Sequence, residues 1–551
     1  MSVGNPGSAV DVDVLVVGAG PTGLTLAAEL ARNGTSFRVV DRNLDRAHES
    51  RALAIQPRTL EVLATLGLSE DLLEHGNAAT LLRMHFGRRT VPVRLFDLGL
   101  DDTAFPFLLF LSQAETERIL VNHLAARGAQ IQRGVELTGL RDEAGAVVCG
   151  VRSPGGREET VRARYVVGCD GAHSTVRHAA RIDFRGAAYP QTFVLSDLEA
   201  DGIDPGSAHV FVSGRGMLFF FPLGTPATWR LLAMRPRADT TPVERPVTLA
   251  EVQALTDAYA TGVRVHDPVW MTNFQLHNRG AARYRSGRVF LAGDAAHIHS
   301  PAGAQGMNTG IQDAINLGWK LSLVAAGIAA PRLLDTYEPE RAPVGRSVLR
   351  FTDRAFTIAT STAAPLRVAR TWLAPRVIPL ALRMRPGRAT AFRTVTELRI
   401  RYRRSPLSVE GPGAPRRGPR AGDRLPDAPL TTPAGKPSTL HALLATPGFH
   451  LLLCGPPRAW TEGTTTMLAE HYASLSVHCL SPQPTSGVLH DPTGVVLDRL
   501  GIASRSTAHL LVRPDGHIAY RGGRDLRGLH AYLATWIGWP EVTSPAPSQT
   551  T

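Results

Sequence analysis

Short, almost continuous apolar runs mark the strands at the start of the chain. Val12–Val17 is such a run and is typical of a strand buried in a parallel sheet. A helix over Leu24–Asn33 and a second strand, Phe37–Val40, are predicted to follow it and complete a βαβ unit. Arg288–Ala292 predicts another buried strand, and a helix is expected from about Asn308 to Ala325. This alternation predicts an α/β, Rossmann-like nucleotide-binding domain.

The pattern changes between Ile182 and Arg279, where short strands rich in Phe, Trp and Val are separated by Gly and Pro turns. A capping box, Thr248-Leu-Ala-Glu251, predicts a helix over Leu249–Thr261. The stretch is therefore predicted to be an antiparallel sheet with one helix, inserted into the nucleotide-binding domain. Its large apolar side chains either wall a pocket for a flat aromatic ligand or form the core of the sheet itself. These side chains are Phe211, Met217, Phe219, Phe221, Trp229, Met271 and Phe274.

The last segment is predicted to be a thioredoxin-like domain. Strands are expected at Phe449–Cys454 and Leu475–Cys479, with a hairpin over Pro514-Asp-Gly516. Cys454 is followed by Gly-Pro-Pro, so this domain lacks a redox dithiol. The predicted domains are residues 1–181 and 280–405 for the two parts of the nucleotide-binding domain, with additional helices in the second part, 182–279 for the inserted sheet, 406–436 for a linker rich in Pro, Gly and Arg, and 437–551 for the thioredoxin-like domain.

Composition narrows the possible functions. The 551 residues are 43% hydrophobic, as in ordinary globular proteins, and no apolar run reaches the roughly 20 residues of a membrane span. The net charge of +12 comes mostly from arginines spread along the chain, with clusters at Arg383–Arg404 and Arg416–Arg420, and no nucleic-acid motif accompanies them. Four scattered cysteines and the lack of a signal peptide suit a reduced, cytoplasmic protein. We expect no nucleic-acid or membrane partner and no metal site.

The first strand leads into a glycine fingerprint, Gly18-Ala-Gly20-Pro-Thr-Gly23. Gly18 is expected to make a tight turn, Gly20 to admit a pyrophosphate against the backbone, and Gly23 to let helix and strand pack closely. Asp41, at the end of the second strand, is placed to accept a hydrogen bond from a ribose hydroxyl, and Arg42 follows it. The fingerprint indicates a dinucleotide with an ADP moiety and does not separate FAD from NAD.

Two further strands end in an acid and a glycine. One delivers Asp170-Gly171, and Ser174 is expected to cap the helix after it. The other delivers Gly293-Asp294, where a carboxylate can bind a ribityl or ribose hydroxyl, and the Gly-rich loop and helix start beyond it can hold negative charge. Gln113, within the capping box Ser112-Gln-Ala-Glu115, and Arg51 are expected near the same edge of the sheet.

Taken together, the three fingerprints resemble those of the flavoprotein aromatic hydroxylases, with the para-hydroxybenzoate hydroxylase fold, over roughly residues 12–350. The His-x-His-Ser-Pro run at 297–301, the following Gln-Gly-Met-Asn-Thr-Gly and the thioredoxin-like tail resemble the branch with polyketide hydroxylases and pentachlorophenol monooxygenase. The resemblance implies FAD as cofactor. It assigns to FAD binding Gly18, Gly20, Gly23, Asp41, Arg42, Arg51, Gln113, Asp170, Gly293, Asp294, Pro301, Gly306, Met307 and Asn308, with Asp170 also linked to nicotinamide binding.

The resemblance also implies a reaction in which NADH or NADPH reduces FAD, O₂ adds at the flavin C4a carbon, and the hydroperoxide transfers one oxygen atom. Our first hypothesis is hydroxylation of a neutral polycyclic aromatic, polyketide-type or phenolic, small molecule. A Baeyer–Villiger monooxygenase acting on a polyketide ketone and a non-catalytic flavin- or ligand-binding homologue are the alternatives. No acid–base pair is forced by the sequence, and Arg51, His299 and Pro301 are weak catalytic candidates. Monomer and homodimer both stay open.

One residue departs from the family pattern. Members of this branch usually have paired glycines after the proline of the flavin loop, whereas Ala304 follows Gly303 here. If this position needs a positive φ, alanine adds conformational strain to the loop. We still expect FAD to bind.

Overall fold

The computed structural model describes residues 10–45, 52–79, 81–87, 89–94, 100–214, 216–223, 227–236, 239, 242–300, 304–360, 364–373, 376–377, 392–456, 458–460, 462–472 and 474–538. The chain divides into two compact units, Met1–Gly318 with Glu338–Ile400 and Trp319–Tyr337 with Arg401–Thr551. Among the helices in these ranges, none is both long and apolar enough to span a bilayer.

The first part of the chain contributes strands to three sheets. Its strands are β1 (Val12–Val17), β2 (Phe37–Asp41), β3 (Ala54–Ile55), β4 (Asn77–Ala79), β5 (Leu81–Phe86), β6 (Arg89–Arg94), β7 (Leu108–Phe110), β8 (Ile131–Arg133), β9 (Glu136–Glu143), β10 (Ala146–Arg152) and β11 (Glu158–Gly168). Its helices are α1 (Pro21–Arg32), α2 (Pro57–Ala64), α3 (Ser69–His75), α4 (Gln113–Ala125) and α5 (Thr175–Ala179). One of the three sheets is the three-stranded sheet β3-β7-β4.

The middle of the chain forms the inserted sheet and then returns to the first one. The strands here are β12 (Phe184–Asp201), β13 (Ala208–Ser213), β14 (Gly216–Pro222), β15 (Trp229–Met234), β16 (Arg264–Ala281), β17 (Arg285–Ser286), β18 (Val289–Leu291) and β19 (His297–Ile298). The helices are α6 (Leu249–Asp257), α7 (Gly306–Ala325), α8 (Tyr337–Thr360) and α9 (Ala364–Val368), with 3-10 turns at Gly293–Ala295 and Pro331–Thr336 and a π-helical turn at Ala369–Leu373.

The nucleotide-binding sheet has the order β17-β18-β11-β1-β2-β8, and β10 and β9 extend it from β11. Strand β1 pairs in parallel with both β2 and β11, and β11 pairs in parallel with β18, so the carboxyl ends of these four strands meet at one edge. Residues 14–17 of β1 are buried, as their apolar run predicts. The predicted strands at 12–17 and 288–292 and the predicted helix ending at Ala325 are confirmed within two residues.

The middle sheet has the order β19-β16-β12-β15-β14-β13-β5-β6. The core strands are antiparallel, and the capping box that begins α6 is present, both as predicted. However, β5 and β6 join this sheet from residues 81–94, outside the predicted insert, and β5 pairs with β13 in parallel. A parallel pairing between strands more than 100 residues apart leaves no local sequence signal, which is why the pattern at 182–279 did not show it.

The C-terminal sheet lies in the second unit and is thioredoxin-like, with helices beside a mixed sheet of order β20-β27-β26-β23-β24-β25-β21-β22. Its elements are β20 (Val409–Glu410), β21 (Pro429–Thr431), β22 (Pro437–Thr439), β23 (Phe449–Cys454), β24 (Leu475–Ser481), β25 (Leu489–His490), β26 (Ala508–Val512) and β27 (Ile518–Gly522), with α10 (Glu462–His471), α11 (Val495–Leu500), α12 (Arg527–Trp536) and a 3-10 turn at His441–Ala445. Residues 406–436, interpreted from sequence as a linker, supply β20 and β21 and bury Leu425 and Ala428 in the core of this sheet. Their Pro and Gly residues therefore serve turns within the domain.

Candidate functional site

The glycine fingerprint forms a turn that only glycines allow at two positions. Gly18 has a φ of +105°, and a Cβ there would lie 2.3 Å from the carbonyl oxygen of Cys169. A Cβ on Gly23 would lie 1.9 Å from the carbonyl oxygen of Gly18. Gly20 differs, because a Cβ there would meet no atom within 4 Å. Gly20 is also the N-cap of α1 and has no side chain that could cap the helix, so the helix start adjoins open space of the kind that suits an anion.

Asp41 sits beside this turn at the end of β2. Its carboxylate accepts hydrogen bonds from the backbone N–H of Ala19 at 2.6 Å and from that of Asn43 at 2.8 Å. The guanidinium of Arg133 is 3.9 Å away, and Arg42 is exposed next to it. The structure thus brings the carboxylate to the glycine turn, where a ribose beside a pyrophosphate would lie.

Gln113 is the first residue of α4 and faces the segment after Arg51. Its side-chain oxygen accepts from the N–H of Ala52 at 3.4 Å, and its side-chain nitrogen donates to Glu117 at 2.9 Å. The carbonyl of Ala52 accepts in turn from the N–H of Gln113 and from Arg230 of the middle sheet at 2.9 Å. Ala52 is therefore held on both sides. Arg51 itself, like Pro301, lies outside the described residues.

The carboxylate of Asp170 holds the turn of the second fingerprint through hydrogen bonds. It accepts from the hydroxyl of Ser174 at 2.5 Å and from the N–H of Val176 at 3.1 Å, and burial raises its pKa. Arg177, on the helix that Ser174 caps, donates to the carbonyl of Ala295 in the third fingerprint at 3.0 Å. Asp170 thus fixes the start of the helix whose Arg177 links the second fingerprint to the third.

The third fingerprint, Gly293-Asp294, packs against Thr22 of the first fingerprint. Gly293 has a φ of +61°, and a Cβ there would lie 2.5 Å from the hydroxyl of Thr22, while one on Gly310 of α7 would lie 2.4 Å from it. Asp294, in the turn that follows β18, is exposed. The three fingerprints therefore converge at the carboxyl edge of the sheet, as the sequence predicts.

Asn308 fastens the start of α7 to the chain before α2. Its side-chain oxygen accepts from the N–H of Gln56 at 2.8 Å, and its side-chain nitrogen donates to the carbonyls of Ala54 at 2.8 Å and Ala304 at 2.7 Å. Ala304 has a φ of +53°, in the left-handed region.

Gly306 and Met307 are the first residues of α7 and are partly exposed. N–H groups in the first turn of a helix have no partner within it, so this end can hold negative charge.

A buried ionic network lies beneath this helix start. Asp313 accepts from the N–H of Gly293 at 3.1 Å, from His297 at 2.7 Å and from Arg341 at 2.6 Å. Burial opposes the charge of Asp313, but Arg341 and His297 hold its pKa below the ordinary value. His297 is thus part of the scaffold. Burial lowers the pKa of His299 to about 4, so its ring is neutral near pH 7.

The seven predicted pocket residues fall on opposite faces of the middle sheet. Phe211, Trp229 and Met271 pack with α6 in the hydrophobic core. Residues 217, 219 and 221 alternate with that core, and the rings of Phe219 and Phe221 stack at 5.6 Å. Phe274 packs with Phe193 and Phe219 in a second cluster.

We call the face that carries Met217, Phe219, Phe221 and Phe274 the aromatic face. Through Phe221 this face contacts a cluster that includes Phe110 and Ala304.

A buried ion pair on this face was not predicted. Arg230 is fully buried and makes two hydrogen bonds of 2.6 Å to Asp197, whose carboxylate also accepts from the indole of Trp270 at 2.9 Å. A charged residue inside the apolar run 229–234 was the available signal, since a charge in a buried strand needs a partner. The two charges compensate each other, and Arg230 also ties the face to the nucleotide-binding domain through the carbonyl of Ala52.

Comparison with known proteins identifies the family. Residues 11–352 match the FAD binding domain model, and residues 418–540 match that of the aromatic-ring hydroxylase C-terminal domain. The chain belongs to the FAD-dependent aromatic hydroxylases. It is 35% identical to 6-methylpretetramide 4-monooxygenase from Streptomyces rimosus, over 98% of this chain and 96% of that protein.

Solved structures agree. Anhydrotetracycline hydroxylase from Streptomyces rimosus superimposes with a TM-score of 0.76 at 32% identity, over 96% of this chain and 99% of that one. A ternary complex of aklavinone-11 hydroxylase with FAD and aklavinone gives 0.76 at 26% identity with the same coverage. This hydroxylase is thus an FAD-dependent monooxygenase that uses NAD(P)H and O₂, as the sequence predicts.

The geometry fits FAD. The open space at Gly20, the uncapped start of α1 and the carboxylate of Asp41 suit the pyrophosphate and ribose. The start of α7 suits the electron-rich pyrimidine end of the flavin. Within the described part of the chain, no group of three His, Cys, Asp or Glu side chains is arranged to hold a metal ion.

Proposed function

We propose that this hydroxylase adds one oxygen atom to a neutral polycyclic aromatic substrate of the polyketide type. The proposal rests on the aromatic face. Its Phe221 packs in one hydrophobic cluster with Ala304, which lies just before α7. A flat ring system stacked on this face would lie next to the isoalloxazine ring. Relatives named for 6-methylpretetramide, anhydrotetracycline and aklavinone support the substrate class.

The electrostatics favour a neutral ligand. Arg230 is a cation buried on this face, and both of its 2.6 Å hydrogen bonds go to Asp197. A substrate carboxylate would have to displace Asp197 from this pair, which costs several kcal/mol when one partner of a buried pair is left uncompensated.

The chain's residues bind, orient and exclude water, while bound FAD supplies hydride uptake from NAD(P)H and activation of O₂. We propose that His299 interacts with a substrate hydroxyl. Its Nδ1 donates to the carbonyl of Ser300 at 3.0 Å, which leaves the neutral Nε2 as an acceptor near Gly306. A phenolic hydroxyl that donates to Nε2 would be oriented toward the flavin and made more nucleophilic. The cytoplasm, which supplies NAD(P)H and keeps the four free thiols reduced, is the compartment we expect.

The test is oxidation of NADH and NADPH by the FAD-loaded protein, with neutral polycyclic phenols and their carboxylated analogues. We expect stimulation by the neutral phenols, weaker stimulation by the carboxylated ones, and a product one oxygen atom heavier that keeps its rings. A lactone product would instead mean oxygen insertion into the ring. NAD(P)H oxidation that is indifferent to every compound would contradict the proposed substrate class.

A further inference from the structure

Glu397 is a fully enclosed carboxyl group that the glycine fingerprints do not involve. It is 3% exposed and has a φ of +62°, in the left-handed region. Residues other than glycine keep such a backbone conformation only where their surroundings fix it, and these positions concentrate at functional sites.

Segment 392–400, which carries Glu397, grips the start of α7 at three points. The hydroxyl of Thr309 donates to one carboxyl oxygen of Glu397 at 3.0 Å, and the side-chain nitrogen of Gln312 donates to the other. The side-chain nitrogen of Gln305 donates to the carbonyl of Val395 at 2.6 Å. The segment therefore fixes the first two turns of the helix whose start adjoins the flavin site.

The other side of segment 392–400 is anchored as well. Arg393 makes two hydrogen bonds, of 2.7 and 2.8 Å, to the carboxylate of Asp102. Phe392 and Leu398 form a hydrophobic cluster with Leu100. With both flanks held, the carboxyl group of Glu397 cannot turn out to solvent when it ionises.

The charged groups around Glu397 leave its ionised form poorly compensated. Asp313, one residue beyond Gln312 on α7, repels a negative charge on Glu397, and Arg341 of α8 attracts it. Arg341 is already paired with Asp313 at 2.6 Å. Gln312 also donates to the hydroxyl of Thr59 on α2. The neighbouring charged residues of that helix, Arg58 and Glu61, form an ion pair with each other at 3.0 Å.

The titration range follows from this setting. Burial raises the pKa of Glu397 to about 7, and the hydrogen bonds and Arg341 only partly oppose it. Near pH 7 the group can therefore gain or lose a proton within about one pH unit.

We propose that Glu397 is a positioning residue for the flavin site, a proton-sensitive latch whose neutral form holds the first turns of α7 in the FAD-binding arrangement. Ionisation strengthens the hydrogen bonds from Thr309 and Gln312, but it leaves a poorly compensated charge in the protein interior and adds negative charge beside a helix start that must accommodate the flavin's own negative charge. The inference rests on FAD binding, which the family shows, and is independent of the substrate.

The decisive measurement is apoprotein melting temperature against pH for the wild type and Glu397→Gln. The neutral carboxyl stabilises the fold fully below the unfolded pKa of 4.5, and this contribution is lost as pH rises through about 7. The wild type should therefore lose stability relative to Glu397→Gln between these values and run parallel to it above. The wild-type Kd for FAD should rise about two- to fivefold more than that of Glu397→Gln between pH 6 and 8.

Two further variants separate a latch from a merely structural carboxyl. Thr309→Val removes a donor that favours the ionised form of Glu397. It should therefore move the midpoint of the pH-dependent loss of stability to higher pH. Glu340→Gln alters another buried carboxyl, which accepts from Asn316, and should leave the transition in place. Parallel wild-type and Glu397→Gln curves, or an unmoved midpoint in Thr309→Val, would overturn the proposal. If Glu397→Gln does not fold, Thr309→Val decides, and neither outcome depends on substrate turnover.

Discussion

The side-chain amide of Asn308 donates to the carbonyl oxygen of Ala304 at 2.7 Å and so closes the first turn of α7 over a left-handed alanine. The same amide group holds the backbone of Ala54 and Gln56, residues more than 250 positions earlier in the chain. Asn308 thus offsets, with three hydrogen bonds, the strain that Ala304 brings to the flavin site.

Replacing Ala304 with glycine should stabilise the protein. Left-handed backbone costs an L-residue roughly 1–2 kcal/mol, and glycine loses about 0.4–1 kcal/mol more entropy on folding. The net expectation is a gain of about 0.5–1 kcal/mol in the free energy of unfolding, measured by denaturant titration of the apoprotein. The control is Ala314→Gly in the interior of α7, which should lose about 1 kcal/mol. A loss in Ala304→Gly would show that the loop is not strained at this residue.

Asn308→Ala should weaken FAD binding as well as stability. It removes the hydrogen bonds that Asn308 makes with the N–H of Gln56 and with the carbonyls of Ala54 and Ala304, at about 2–4 kcal/mol in total. We expect the Kd for FAD, followed by flavin fluorescence, to rise about tenfold or more. Asn316→Ala on the same helix, which removes the hydrogen bond to Glu340, should reduce stability with little change in Kd. Equal effects of both variants on Kd would argue against a specific role for Asn308.

Two glycines of the first fingerprint should respond in opposite ways to alanine. A Cβ on Gly20 meets nothing within 4 Å, so Gly20→Ala should change apoprotein stability by less than about 1 kcal/mol but raise the Kd for FAD at least about tenfold. A Cβ on Gly23 lies 1.9 Å from a backbone oxygen, so Gly23→Ala should destabilise the apoprotein by about 3 kcal/mol. Normal FAD affinity in Gly20→Ala would place the pyrophosphate elsewhere.

Local patterns predicted the parts of this site that depend on neighbours in sequence. The strand, glycine turn, helix and second strand ending in Asp41 follow from apolar runs and glycine positions, and the structure has them at those places. The same holds for β18 before Gly293 and for the helix that ends at Ala325. Each is marked by apolar runs and glycine positions within a few dozen residues, although β1 and β18 both pair with the distant strand β11.

Long-range pairs could not be predicted in this way. Asn308 meets Gln56 across 252 positions, and Glu397 meets Thr309 across 88. Nothing in the neighbourhood of either residue specifies its partner. Phe219 and Phe221 alternate with Phe220 along β14, but the sequence does not tell which face of the sheet lies toward Ala304.

The Arg230–Asp197 pair gives a prediction about coupling. Arg230→Gln leaves Asp197 uncompensated in the protein interior, which should cost about 3–5 kcal/mol in the free energy of unfolding. It should also weaken FAD binding, since Arg230 holds the carbonyl of Ala52. The double variant Arg230→Met with Asp197→Leu should recover a large part of the stability but not the FAD affinity. Additive losses in denaturant titrations of the single and double variants would contradict a coupled pair.

Neighbouring phenylalanines on β14 test where the substrate lies. Phe221 is half-buried on the aromatic face, whereas Phe220 is fully buried in the core that packs with α6. Phe220→Ala should cost about 3–5 kcal/mol of stability, and wherever the variant folds its KM should be close to the wild-type value.

Phe221→Ala should cost less stability, about 1–2 kcal/mol, and raise the KM for an aromatic substrate about three- to tenfold, since aromatic stacking contributes about 0.5–1.5 kcal/mol. Steady-state NAD(P)H oxidation with any phenol that stimulates the wild type measures both variants. It should also show a larger fraction of NAD(P)H consumed without product in Phe221→Ala, because a loosely held ring no longer excludes water from the flavin. An unchanged KM in Phe221→Ala would move the substrate away from this face, even if the protein still hydroxylates aromatic compounds.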